Sequence, residues 1–461
     1  MASACQPAEG LGDSVTDPAA DAGESGGDEP TAPPEQPNAQ QEELDLNDVS
    51  ILLPPPTSGD PGLAITDLAF DGASVWPDSI FTQYLGIAEN FGGVDGEDVV
   101  SGRGGSRIDI SAFTDKSVWH VAAIRIDPGA PGLSDDIKRE FGQAAQIRLV
   151  LQPVTGNGRV HDVAAHVIYN YVSDAERIEG CPARRLAPDL TQFRRIVDDV
   201  AAIKSKLAAG EISDEAIDTN GPLSVHPAAD PAKAGAATRS AFRDELKGFL
   251  DAHLDPSKLS AMAIMGLPRN APEPWLFLAM APNPAGEGFV PLPSPAIGQD
   301  RFRFAQMLDA RRGTSVSPAV RTNNLNPITC RFEVDPNNPL GLTSPENANG
   351  VSTAELFPDG DAERMREIVS VIADPTRAHF FNTDCVSCHT ETRREMDILG
   401  TDRVDAPVDP DVLPTELWNV RNFGWFPSFL NRGVLKATAT RRTATETEEV
   451  VEAVNAMLKE R

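Results

Sequence analysis

The chain has no long apolar runs. Stretches such as residues 275–281 fall far below the ~20 apolar residues that a bilayer-spanning helix needs, so no membrane-crossing helix is expected. Basic residues are scarce as well. Forty Lys and Arg stand against 69 Asp and Glu, a formal net charge of −29. That balance excludes nucleic acid as a partner, since binding it needs a basic footprint. The shortage is most severe at the start, where residues 1–48 carry twelve acidic side chains and no Lys or Arg. From residue 375 onward, by contrast, eleven basic side chains face fourteen acidic ones. The first 48 residues are rich in Gly, Pro and Ala and lack apolar periodicity, which predicts a disordered, self-repelling tether. A phosphate loop is also missing, because the glycine-rich turn at 102–105 is not followed by Gly-Lys-Ser/Thr.

Cysteine is the other scarce residue type, and its five copies sort by position. Cys385 and Cys388 lie three apart and run directly into His389. Composition alone would give that pattern in roughly one chain in a thousand. On a helical turn, residues three apart share a face, so both thiols can reach the two vinyl groups of one porphyrin. The adjacent His389 then projects to the iron as proximal ligand. A zinc site would need four ligands, and only His379 is near enough to add one. A thioredoxin-like dithiol needs a strand-to-helix junction, whereas the segment before Cys385 reads as helix.

That preceding segment, residues 361–374, is amphipathic with Met365, Ile368, Val369 and Ile372 on one stripe, and it stops at Pro375. A second short helix over 375–384 brings Phe380 and Phe381 up to the motif. At the far end Thr445 and Glu448 form a capping box, followed by an apolar face of Val450, Val451, Val454, Met457 and Leu458. The pentapeptide framed by these helices resembles a small class I cytochrome c over about residues 375–461, within a haem domain read as 360–461. The resemblance implies an all-α fold, one covalent haem c, and single-electron exchange with periplasmic redox proteins.

The chain departs from that pattern at the distal ligand. A small cytochrome c usually supplies a Met between the haem His and the last helix, yet residues 397–445 hold neither Met nor His. Met396 is the leading distal candidate, because an extended seven-residue span reaches ~24 Å. Met457, Met307, a His from the middle of the chain, an Asn and Lys436 are alternatives, as is an open iron. An open iron would suit a small-ligand sensor or a haem-containing oxidoreductase. The aromatics between Trp418 and Phe426 read as a wall of the haem pocket, or as an ordinary second core.

Cys5 follows Ala2, Ser3 and Ala4, which resembles the end of a bacterial lipoprotein signal. The match is imperfect, with Ala2 where Leu is usual. No charged or apolar leader region stands before it, so a signal peptide would have to lie upstream of Met1. The resemblance implies a lipid anchor on Cys5 as the only membrane attachment, on the periplasmic side, with Gln6 suiting outer-membrane sorting. Residues 6–47 would then be the spacer. Cys181 and Cys330 remain as one even pair. They form a disulfide in an oxidising compartment, closing a loop of about 150 residues worth up to ~5 kcal/mol, or stay as two buried thiols.

The middle of the chain, residues 60–350, reads as an α+β domain. Strands are predicted at 118–126, 146–154 and 163–172, with a turn at 156–158 between the last two. Helical spacing follows at 190–209, with Phe193, Ile196, Val197, Val200 and Ile203 on one face, and again at about 236–253. Apolar runs at 259–267 and 275–281 read as buried strands, and 312–350 as an irregular connection. Strands, then helices, then strands favour the α+β class. His161 and His166 are five apart and fall on opposite faces of a strand, so a shared metal is not expected. Three functions fit these features: a tethered mono-haem electron carrier, a haem oxidoreductase or sensor, and a haem-bearing binding or structural lipoprotein.

Overall fold

The computed structural model describes residues 43–90, 110–129, 143–156, 158–161, 163–177, 184–266, 276–283, 286–291, 321–322, 369–370, 372–375, 391–393, 395–396, 404–414, 422–427 and 435–460. All of them fall in one contact unit, Gln41–Arg461. In chain order, the described helices are α1 (Leu46–Val49), α2 (Asp78–Asn90), α3 (Leu190–Ala208), α4 (Ala236–His253) and α5 (Arg441–Lys459). The strands are β1 (Ser50–Leu52), β2 (Ala69–Phe70), β3 (Ala73–Ser74), β4 (Trp119–Asp127), β5 (Ala145–Thr155), β6 (Arg159–Val160) and β7 (Val163–Arg177). After them come β8 (Arg184–Pro188), β9 (Leu259–Gly266), β10 (Leu276–Pro282), β11 (Phe289–Pro291), β12 (Arg321–Thr322), β13 (Phe423–Pro427) and β14 (Leu435–Ala439).

Runs of β-branched residues pair into one sheet in the order β1-β4-β5-β7-β9-β10-β11, antiparallel throughout that path. The period of two sends alternate side chains to opposite faces, and both faces of this sheet are apolar at the centre. Ile124, Ile126, Ile147, Leu149, Val167 and Ile264 belong to one core, which α3 and α4 complete with Phe193, Ile196, Phe242 and Leu246. Ala123, Val150 and Ala164 belong to a second core with Phe423, Trp425, Leu413 and Met396. A bulge between Val121 and Ala123 adds Ala122 to that second core as well.

The hairpin β13–β14 covers the second face. Buried Gln152 fastens it, donating from Nε2 to the Trp425 carbonyl at 2.8 Å and accepting the Trp425 N–H on Oε1 at 2.6 Å. The Trp425 indole N–H donates to the Leu53 carbonyl at 2.7 Å. Gly424 makes this approach feasible. Its φ of 151° suits glycine, and a Cβ there would stand 2.7 Å from Gln152 Oε1.

Helix α5 touches both cores, with Val450 and Val454 in the first and Ala444 in the second. It also contacts α1 and α3. Residues 43–48, which composition assigns to the tether, are built into the body. Asp45 caps α1, and Leu44 exchanges two hydrogen bonds with the Asn455 amide, at 2.8 and 2.9 Å. Asp48 pairs with Lys204 at 2.9 Å, both side chains nearly sealed from water. Local composition hides this because every partner is distant in sequence. Residues 1–42 lie outside the described part.

The expected α+β class holds, and so do the predicted strands and both middle helices, within one or two residues at most ends. β7 runs five residues past its predicted end. The C-terminal region, expected to be all-α, carries the hairpin β13–β14 ahead of its helix. Helix α5 starts at Arg441 with Thr440 as its cap, so Thr445 lies inside the helix rather than at a capping box.

If α5 is part of the sheet's core, Val454→Ala will lower the stability of the whole body by about 2 kcal/mol. Hydrogen exchange should show β5 and α5 amides losing protection together; loss confined to α5 would contradict the shared core.

Candidate functional site

The motif residues Cys385, Cys388 and His389 lie outside the described residues, but the chain on either side of them does not. Upstream, residues 369–370 and 372–373 are helical and lead to Pro375. Downstream, Glu391–Arg393 and Glu395–Met396 are helical. Both flanks end on the first turn of α5.

The physics of helix ends explains why. The first backbone N–H groups of a helix have no intrahelical acceptor, and the last carbonyls of a helix have no intrahelical donor. The Arg441 N–H donates to Thr392 Oγ1 at 2.9 Å, and the Arg442 N–H donates to Glu391 Oε1 at 3.1 Å. The positive end of the helix dipole favours a carboxylate there. Upstream, Arg442 Nη1 donates to the carbonyls of Ile372 at 3.2 Å and Asp374 at 3.1 Å. Thr445 Oγ1 donates to the Ala373 carbonyl at 2.7 Å. One helical turn therefore caps the end of the upstream helix and is capped by the downstream one.

Arg441 adds charge to this arrangement. Its Nη1 donates to Glu395 Oε1 at 2.6 Å, and its Nη2 lies 3.4 Å from Ser370 Oγ. Glu391 is 1% exposed and Glu395 3%. Burial pushes the Glu391 carboxyl up to about 7, against a hydrogen bond from Thr392 and the charge of Arg441, with Glu395 adding repulsion. Burial also raises Glu395, opposed by Arg441. Glu391 Oε2, Glu395 Oε2 and Arg441 Nε are buried and find no hydrogen-bond partner among the described residues. Two buried carboxylates thus lean on one guanidinium.

The other sequence-predicted residues fall as follows. Met396 is buried in the second core beside this turn. Met457 packs in the first core, among the side chains that join α5 to the sheet. Lys436 Nζ donates to the Leu413 carbonyl at 3.0 Å, and burial lowers its affinity for a proton, opposed by Asp411 and Asp409. Trp425, on β13, is buried in the second core. His161 pairs with Thr155 Oγ1 at 2.6 Å. Cys5, Cys181, Cys330, Met307 and Trp418 lie outside the described residues. Among the described residues no group of three or more His, Cys, Asp or Glu could hold a metal, and no helix is long and apolar enough to cross a membrane.

Sequence reasoning missed Glu391, Glu395, Arg441 and Arg442. One signal was available: Glu391 and Glu395 sit at i and i+4, one helical face, and a doubled arginine opens the last helix. For the implied haem, the test is the chemistry of the donor set. Two thiols three residues apart and an adjoining imidazole fit covalent attachment and axial ligation.

Removing Arg441 should leave two buried carboxylates without their cation. Arg441→Ala is expected to cost ~3–5 kcal/mol in denaturant unfolding, whereas Arg441→Met combined with Glu395→Met recovers most of that. Additive losses in the double variant would contradict the coupling.

Comparison of the chain with known protein families, characterised proteins and solved structures finds no match, so a functional reading must come from its own residues.

Proposed function

We propose that this chain is a mono-haem c-type cytochrome that passes single electrons between periplasmic redox partners. The observation that carries the reading is Cys385-Val386-Ser387-Cys388-His389. In it the two thiols form the thioether links and His389 binds the iron. Haem iron held this way takes up and gives back one electron at a time.

The work of the remaining residues is positioning. Arg442 and Thr445 hold the carbonyls at 372–374, while Thr392 and Glu391 are held by the backbone of α5. The segment bearing the motif therefore leaves from and returns to the same rigid turn. A fixed frame of this kind favours electron exchange, which is fastest when little moves. Covalent haem is completed on the oxidising side of a membrane. With Cys5 as lipid anchor and residues 6–42 as spacer, the protein would face the periplasm from the outer membrane.

One observation favours a second reading. The absence of Met and His from 397–445 leaves the distal position to Met396, to a ligand from elsewhere in the chain such as Met307 or a His, to a weak ligand such as Lys436, or to none. An open iron would make the protein a small-ligand sensor or an oxidoreductase.

Expression with the cytochrome c maturation machinery separates these readings. The denatured protein should stain for haem and keep its pigment through acid-acetone extraction, and Cys385→Ser with Cys388→Ser should abolish the stain. A reduced spectrum untouched by carbon monoxide and altered by Met396→Ala fits the carrier. Rapid carbon monoxide binding fits the sensor, and a colourless protein defeats both.

A further inference from the structure

Between the second face of the sheet and the start of α5 lies a cavity of about 150 Å³. Among the described residues its walls bring Arg125 from β4, Arg148 from β5, His166 from β7 and Arg442 from α5 to one space. The one carboxylate among its described lining residues is Glu446, and Glu446 is already engaged. Its Oε1 accepts from Arg442 Nε at 2.7 Å, and its Oε2 lies 3.4 Å from Arg125 Nη1. Burial works against the Glu446 charge, but Arg442, Arg125 and Arg148 together hold its carboxyl below the usual range.

Arg148 has no such partner. It stands directly opposite Arg125 in the β4–β5 register, a like-charge pair that costs stability unless something neutralises it. Its one polar contact among the described residues is Nη2 to Gln146 Oε1 at 3.4 Å. Its Nε is sealed from solvent with no acceptor. Asp127, two residues along β4 from Arg125 and opposite Gln146, is another carboxylate that acts on Arg148. Its Oδ1 accepts the Gly129 N–H at 2.9 Å, and its Oδ2 lies 3.5 Å from Gln146 Nε2. Burial and the charge of Arg125 both press on the Arg148 guanidinium, lowering its affinity for a proton, while Asp127 and Glu446 oppose them. A buried donor without an acceptor costs ~1–3 kcal/mol, and a fold that keeps one in a polar cavity has the makings of an anion site.

We propose that this cavity binds a small oxyanion, a phosphate or carboxylate group, with Arg148 and Arg125 as its principal donors. The guanidinium fork matches the geometry of either group and gives short, charge-assisted hydrogen bonds. At ~30 Å³ per water, the space equals about five waters, which suits inorganic phosphate or a short dicarboxylate. Val150, Ala164, Met265 and Phe423 supply the apolar part of the wall, with Asn422 and Thr443 beside them. The site requires no haem, so it stands or falls independently of the cytochrome reading.

The test uses the full-length matured protein. Inorganic phosphate and succinate are titrated separately at constant ionic strength, read by calorimetry and by the shift in unfolding temperature. One of the two is expected to bind at 1:1 with a Kd tighter than about 1 mM. Arg148→Met should weaken it about tenfold or more, the loss of one charge-assisted contact, while keeping the fold, because it removes a partly buried cation that has no ion pair among the described residues. Arg125→Met provides a second variant should Arg148→Met fail to fold. Absence of binding by either anion to the folded wild type overturns the proposal, as does binding that a folded Arg148→Met or Arg125→Met leaves unchanged.

Discussion

Helix ends carry backbone groups that must find partners outside the helix, and this chain satisfies two such ends against each other. The start of α5 takes its acceptors from Thr392 and Glu391, and the helical segment ending at Ala373 takes its donors from Arg442 and Thr445. Because α5 also places Val450 and Val454 in the core of the sheet, the frame around the motif is continuous with the larger of the two described cores. The arrangement carries an electrostatic cost. Glu391, Glu395 and Arg441 give up hydration for one ion pair and a few hydrogen bonds, an exchange in which desolvation offsets much of the Coulomb gain.

The middle of the chain was legible because its order is local. β4, β5 and β7 are rich in Val, Ile and Leu, and α3 and α4 repeat apolar residues at helical spacing, so each announces itself within a dozen positions. The parts that sequence reasoning misplaced are those whose stability is supplied from far away. Leu44 is held by Asn455, 411 positions on, and Asp48 by Lys204. The hairpin β13–β14 is short, and Gln152 fixes it from 273 residues earlier. Helix α5 was found but started late, because Thr445 and Glu448 imitate a cap while the true cap, Thr440, is held by the Asn422 carbonyl through its N–H. Of the candidate site, Cys385, Cys388 and His389 rest on their spacing alone. The arginines and glutamates that support its flanks were not, since their roles exist only once the two helices meet.

Arg442 joins the two polar regions of the molecule. Its Nη1 caps the upstream flank of the motif, while its Nε shares Glu446 with the arginine-lined cavity. The cation-rich wall of that cavity contrasts with a chain whose formal charge is −29, so its arginines are concentrated against the general trend of the sequence. Positive charge gathered inside an acidic protein is costly unless an anion shares the space, and the same fold would then present one site for electrons and another for a small oxyanion.

The central claim is that the segment framed by α5 bears one haem through two thioether bonds. Peptide mapping by mass spectrometry of the full chain, matured in a competent periplasm, tests it most directly. The fragment cut after Arg377 and Arg393 should carry a single haem on Cys385 and Cys388, with no haem elsewhere. Two unmodified thiols in that fragment would contradict the account.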